Sequence, residues 1–155
     1  MIEIITSEIT EDIKSFLLES LSFLKCGITK NFIEYSSNNK TIMYIVENNE
    51  IVSFCIYSAI DKQKLVYDLE SSCDHFDSEA FDYFCRYIND IPDSAIYLHF
   101  VESIKEGCGY GTKIIKELTT LEKEIFLYSV LEAEEFWEKN NFVNIFGYNY
   151  TYTEN

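Results

Sequence analysis

Residues 95–111 read Ala95-Ile96-Tyr97-Leu98-His99-Phe100-Val101-Glu102-Ser103-Ile104-Lys105-Glu106-Gly107-Cys108-Gly109-Tyr110-Gly111. The first seven are almost continuously apolar and of strand length, the pattern of a strand covered on both faces. Beyond the glycines, Ile114, Ile115 and Leu118 fall at helical spacing. The whole chain has five glycines and one proline, and three of those glycines stand at 107, 109 and 111. Glycines gathered so closely mark a backbone requirement. A strand, a glycine loop and a helix in succession can hold phosphate, because successive N–H groups point into one concavity and the helix adds the positive end of its dipole. The loop is not a P-loop, since no Gly-Lys-Ser/Thr ends it, and the G-x-G-x-x-G dinucleotide spacing is absent. On spacing alone, a glycine-rich turn without a ligand fits as well.

Outward from this stretch, strand and helix patterns alternate. Residues 2–5 predict a short strand, followed by a helix that Thr10 caps. Glu11 and Asp12 suit its first turn, and Ile13, Phe16, Leu17, Leu21 and Leu24 form one apolar stripe. Gly27 reads as the stop. Residues 41–46 and 51–57 are β-rich runs joined by Glu47-Asn48-Asn49-Glu50, where two Asn tolerate the left-handed conformations of an antiparallel hairpin. Residues 64–69 read as a third strand. Asp77 or Ser78 then caps a helix with Ala80, Phe81, Phe84, Cys85 and Ile88 on one face, closed by Pro92. Downstream, residues 125–130 predict a strand, 132–140 a helix and 142–152 one or two final strands. No linker or repeat divides the chain, so a single domain is expected. A chain of 155 residues buries about 70% of its unfolded surface.

Composition excludes whole classes of function. Twelve Lys plus Arg against 27 Asp plus Glu leave a net charge of −15. Nucleic acids and anionic membrane surfaces both select for basic residues, so neither is an expected partner. Cationic or amine-bearing partners are favoured instead. With 47% hydrophobic residues, 12 Phe and 12 Tyr, the chain has too much core material to be disordered. No apolar run approaches membrane-spanning length, and the first residues lack a signal-peptide pattern, which predicts a cytoplasmic protein. Five cysteines without a C-x-x-C pair predict reduced thiols.

Two motifs tie the pattern to a family. Val101, five residues before Glu106, with the Gly107-x-Gly109-x-Gly111 run, resembles motif A of the GCN5-related N-acetyltransferases. There a valine-ended strand leads into an Arg/Gln-Gly-x-Gly-x-Gly/Ala loop that grips the pyrophosphate of acetyl-CoA. Residues 133–142 resemble that family's motif B, Ala-x-x-Phe/Leu-Tyr-Glu-Lys-x-Gly-Phe, matching at Ala133, Phe136, Glu138, Lys139 and Phe142. Together the motifs cover roughly the last third of the chain. The resemblance implies an α/β fold with a mixed, mostly antiparallel sheet flanked by helices. It implies that strands 95–102 and 125–130 splay apart, so that the pantetheine arm pairs with backbone groups left free between them. It also implies acetyl-CoA as cofactor, held by Phe100, Val101, Glu106, Gly107, Cys108, Gly109, Tyr110, Gly111, Thr112, Phe136 and Trp137, and an amine as acceptor.

Three positions depart from the family pattern. Asn141 replaces a Gly, and Asn is the next-best residue for a left-handed helix end. Glu106 replaces Arg or Gln and sets a carboxylate beside the expected pyrophosphate, which Lys105, Lys113 and Lys116 would have to offset. Trp137 replaces the Tyr that protonates the departing thiolate, and an indole N–H is no proton source near neutral pH. Tyr128, Tyr110 or water are the substitutes. For the base, Glu102 and His99 are nearest in sequence, with Asp68 and Glu70 as outsiders, and the backbone N–H of Val101 or its neighbour is the implied oxyanion donor. A strand His is commonly a hydrogen-bonded core residue.

Other features keep their plainer explanations alongside. Cys73-Asp74-His75 with Asp77 offers metal-ligand types without recognised spacing, and no metal is expected. Cys108, in the glycine loop near a helix start, reads either as a favoured thiolate or as a small side chain chosen for packing. Phe142, Phe146, Tyr148, Tyr150 and Tyr152 alternate at strand spacing, either as edge-strand packing or as a homodimer interface. Residues 63–93 look like an insertion in the family path, and its acids, Asp68, Glu70, Asp74 and Asp77, suit either a cationic substrate or a solvated face. The expectation is an N-acetyltransferase acting on a primary amine, with a domain of the same fold that binds a protein without chemistry as the alternative.

Overall fold

The computed structural model describes all residues except 21–26, 73–77, 106, 147–148 and 154–155. Glu106, Leu21, Leu24, Tyr148 and the cluster Cys73, Asp74, His75 and Asp77 therefore lie outside the described residues. Among the described residues seven strands form one mixed, mostly antiparallel sheet: β1 (Ile2–Glu8), β2 (Thr41–Glu47), β3 (Glu50–Ala59), β4 (Ile96–Ser103), β5 (Ile125–Tyr128), β6 (Val143–Phe146) and β7 (Asn149–Tyr152). Their order in the sheet is β1-β2-β3-β4-β5-β7-β6. Among the described residues six α-helices accompany them: α1 (Glu11–Ser20), α2 (Gly27–Ser36), α3 (Lys62–Ser72), α4 (Ser78–Asp90), α5 (Tyr110–Thr119) and α6 (Glu134–Lys139). No helix of the described residues is long and apolar enough to cross a membrane.

The chain gathers into two compact units, Met1–Ser58 with Leu98–Leu121, and Ala59–Tyr97 with Glu122–Asn155. In the first, β1 and β2 pair antiparallel from Ile2↔Glu47 to Glu8↔Thr41, and β2 and β3 pair around a hairpin. Asn48 and Asn49 take φ of 53° and 63° in its turn, the left-handed region that the sequence demanded there. Ile9, Leu17, Ile33, Ile42, Phe54 and Ile56 are all buried in one cluster. Each such side chain stabilises the unit by about 1.5–3 kcal/mol through its removal from water. Thr10 caps α1, its Oγ1 accepting from the N–H of Ile13. Phe16 leaves the expected stripe and is exposed, while Leu17 is buried.

In the second unit, Phe84, Ile88, Ile91, Ala95 and Phe126 form the core. Phe84 and Ile88 are the buried residues of α4, as its spacing predicted. Residues 64–69, expected as a strand, belong instead to helix α3. Asp61 explains the difference: its Oδ1 accepts from the N–H of Lys64 at 3.0 Å and its carbonyl from the N–H of Leu65 at 3.0 Å, an N-cap that commits the chain to helix. Leu65, Val66 and Leu69 then share one face and pack on the Phe84 cluster. The register between β4 and β5 consists of two parallel pairs, Ile96↔Ile125 and Tyr97↔Phe126. Strand β7 pairs antiparallel with both β5 and β6, so the final run is two strands. Within the aromatic tail, Phe142 and Tyr150 are buried.

Candidate active site

The first unit brings α2 and β3 against the second half of β4. Glu102, half-buried near the end of β4, accepts a hydrogen bond at Oε1 from the hydroxyl of Thr29 on α2. Thr29 itself is only 1% exposed. Burial pushes the Glu102 carboxyl above the usual carboxylate range, and the Thr29 bond, which favours the charged form, pulls it partly back. The carbonyl of Glu102 accepts from Ser53 Oγ at 2.9 Å, and that hydroxyl also lies 3.0 Å from Ser103 Oγ. Three residues earlier, His99 Nε2 is 2.8 Å from Ser58 Oγ. Its ring lies 5.1 Å from that of Phe32, which also meets Phe100 edge-on at 4.8 Å.

Beyond β4 the glycine loop turns into α5. Gly107 and Gly109 both take φ of 75°, the left-handed region that L side chains resist. A Cβ built on either would meet nothing within 4 Å, so the requirement is conformational and the space over the loop is open. Gly109→Ala should therefore cost about 1–2 kcal/mol of backbone strain without a clash. Urea unfolding measures this, and an unchanged midpoint would show that the loop relaxes. Gly109 is the N-cap of α5, which has no side-chain cap and no acid in its first turn. Its first-turn N–H groups are thus open to an anion. Lys113 and Lys116 follow on the exposed side of the helix. These features fit a diphosphate.

Both flanks of the loop are tied to Glu47 at the end of β2. Tyr110 donates its phenolic proton to Glu47 Oε2, and Lys105 Nζ stands 3.9 Å from the same oxygen. The bond to Glu47 pushes the Tyr110 phenol up to about 12, since ionisation would set a phenolate against a carboxylate. Part of the charge of Lys105, expected to serve a bound anion, is committed to Glu47.

In the second unit, Tyr128 ends β5 and is exposed. Trp137 on α6 is buried, packed edge-on against Phe136 at 4.9 Å and Phe142 at 5.2 Å, and its buried Nε1–H has no acceptor among the described residues. After α6, Asn141 takes φ of 68°, the left-handed conformation for which Asn can stand in for Gly.

No protein-family model matches the chain, and no curated protein matches it. Solved structures do. The Bacillus subtilis N-acetyltransferase YlbP in complex with coenzyme A has a TM-score of 0.60 at 14% identity, over 99% of this chain and 97% of that one. A putative acetyltransferase of the GNAT family from Desulfovibrio desulfuricans scores 0.53 at 7% identity, over 99% of both chains. The polyamine N-acetyltransferase of Drosophila melanogaster, which catalyses formation of N-acetylagmatine, scores 0.52 at 10% identity, over 92% of this chain and 85% of that one. The chain has the fold of the GCN5-related N-acetyltransferases.

Within this N-acetyltransferase fold the expected site residues separate into two sets. His99, Phe100, Val101, Glu102, Gly107, Cys108, Gly109, Tyr110, Gly111 and Thr112 belong to the first unit, and Tyr128, Phe136 and Trp137 to the second. Cys108 is exposed, so packing does not dictate its size. Thr29, Phe32, Glu47, Ser53 and Ser58 were not legible as site residues. They reach β4 and the loop through tertiary pairing, and each is an ordinary residue of its own helix or strand.

Proposed function

We propose that this chain transfers the acetyl group of acetyl-CoA to a primary amine of a cationic small molecule or protein. The observation that carries the reading is the uncapped, glycine-led start of α5, following a strand that bears a half-buried carboxylate, in an N-acetyltransferase fold. When bound, acetyl-CoA supplies the activated acetyl group as a thioester. The backbone N–H groups from Gly107 to Thr112, with Lys113 and Lys116, would hold its diphosphate. Glu102 takes the ammonium proton, releasing the amine lone pair, and a carboxyl raised toward neutrality by burial suits that task. The backbone N–H of Val101 is assigned to the developing negative charge.

Proton return is left to Tyr128 or water, the candidates that remain. The Tyr110 phenol is held at about 12 by the hydrogen bond it donates to Glu47, which makes it a poor acid. Trp137 cannot serve, since its indole is not a proton source and is spent on packing. The net charge of −15 supports a cationic acceptor, as do fold neighbours that acetylate agmatine and polyamines.

The buried Trp137 also favours a second reading, a domain that keeps the fold and binds a partner without chemistry. Calorimetry with CoA and release of free thiol across an amine panel separate the two. Heat of binding with thiol release supports the enzyme. Binding without release from any acceptor favours the second reading, and absence of both defeats the acetyltransferase.

A further inference from the structure

Two titratable side chains, His99 and Glu102, stand three residues apart on β4, and α2 touches the surroundings of both. Thr29 and Phe32 are one turn apart on one face of that helix. Phe32 covers the ring of His99 and the edge of Phe100, and Ser58 occupies His99 Nε2. Thr29, almost fully buried and β-branched, has a restricted rotamer, and its one hydroxyl proton goes to Glu102 Oε1. Glu102 Oε2 is left to receive a proton. We infer that Thr29 is a positioning residue that fixes the Glu102 carboxylate as the base of the amine site, in preference to His99. The inference rests on the acetyltransferase reading above and adds to it a residue of α2.

Among the described residues, the groups that meet Glu102 and its strand end are Thr29 from α2, Ser53 from β3 and Ser103 on β4, while the titratable His99, three residues earlier on β4, meets Ser58 and Phe32. Thr29 donates to the charged form of the carboxylate, so its bond lowers the pH at which Glu102 loses its proton. Removing the hydroxyl while keeping the shape raises that pH.

Thr29→Val and Thr29→Ser make the test, with the Glu102 carboxyl followed by carbon NMR through a pH titration and assigned by its loss in Glu102→Gln. In the Val variant the Glu102 midpoint should rise by about one pH unit, and the acidic limb of kcat/KM for the amine should move with it, about tenfold in rate at a pH on that limb. The Ser variant should keep the wild-type midpoint and limb. A Val variant that titrates as wild type overturns the inference, and so does one that loses activity with its acidic limb unmoved. A wild-type chain that acetylates no amine defeats the functional reading instead. The carboxyl titration needs no turnover, so it still decides whether Thr29 holds Glu102 or only packs.

Discussion

Glu102→Gln is expected to lower kcat/KM for the amine by about 10²–10⁴-fold, with CoA binding unchanged by calorimetry. The amide keeps the size of the carboxylate and can still accept from Thr29, so the loss reports the missing base and not a collapsed site. The same substitution should alter stability in the opposite sense. Burial raises the folded-state pKa of Glu102 above its unfolded value. The contribution of Glu102 is therefore fully favourable below the unfolded pKa and is lost as pH rises through the folded one. At neutral pH the Gln variant should melt above wild type, and the gain should shrink toward about pH 4, where the unfolded carboxyl takes up its proton. Wild-type kcat/KM in the variant would move the base to His99.

The second large effect concerns the other unit. Phe126 on β5 is 1% exposed and packs against Phe84 at 6.1 Å and Tyr97 at 5.9 Å between ring centroids. Phe126→Ala removes a whole ring from a core of five buried residues, and should cost about 3–5 kcal/mol in urea unfolding. That is a large part of the stability of a marginally stable domain. A cost under about 1 kcal/mol would mean that Tyr97 and Phe84 close over the space.

The parts legible in the sequence were those in which local chemistry and tertiary need agree. The apolar run at β4, the glycines at 107 and 109 and the periodic helix after them carry their own signals, as do the Asn pair of the hairpin and the α6 motif with Asn141. Helix α3 was misread because Lys64-Leu65-Val66-Tyr67 resembles a strand at short range, while the deciding signal, the Asp61 cap, lies outside the run. Helix α2 was missed because Gly27, taken as a stop, is its first residue. That omission removed Thr29 and Phe32 from view, and with them the surroundings of Glu102. Glu102 could be named as a candidate base from its place on β4, but the hydroxyl bonded to it is 73 residues away in the chain. Only folding brings that pair together, and no spacing rule reports it.

Trp137 is the one tryptophan in the sequence, and it sits in an aromatic nest with its N–H facing no acceptor among the described residues. Excited beyond the tyrosine absorption, the protein's emission is thus that of a single buried indole. It should lie to the blue in the folded state and move to the red as water reaches α6, giving an optical reading of the second unit that is independent of the twelve tyrosines. This one side chain thereby makes the folding of its own neighbourhood visible without a label.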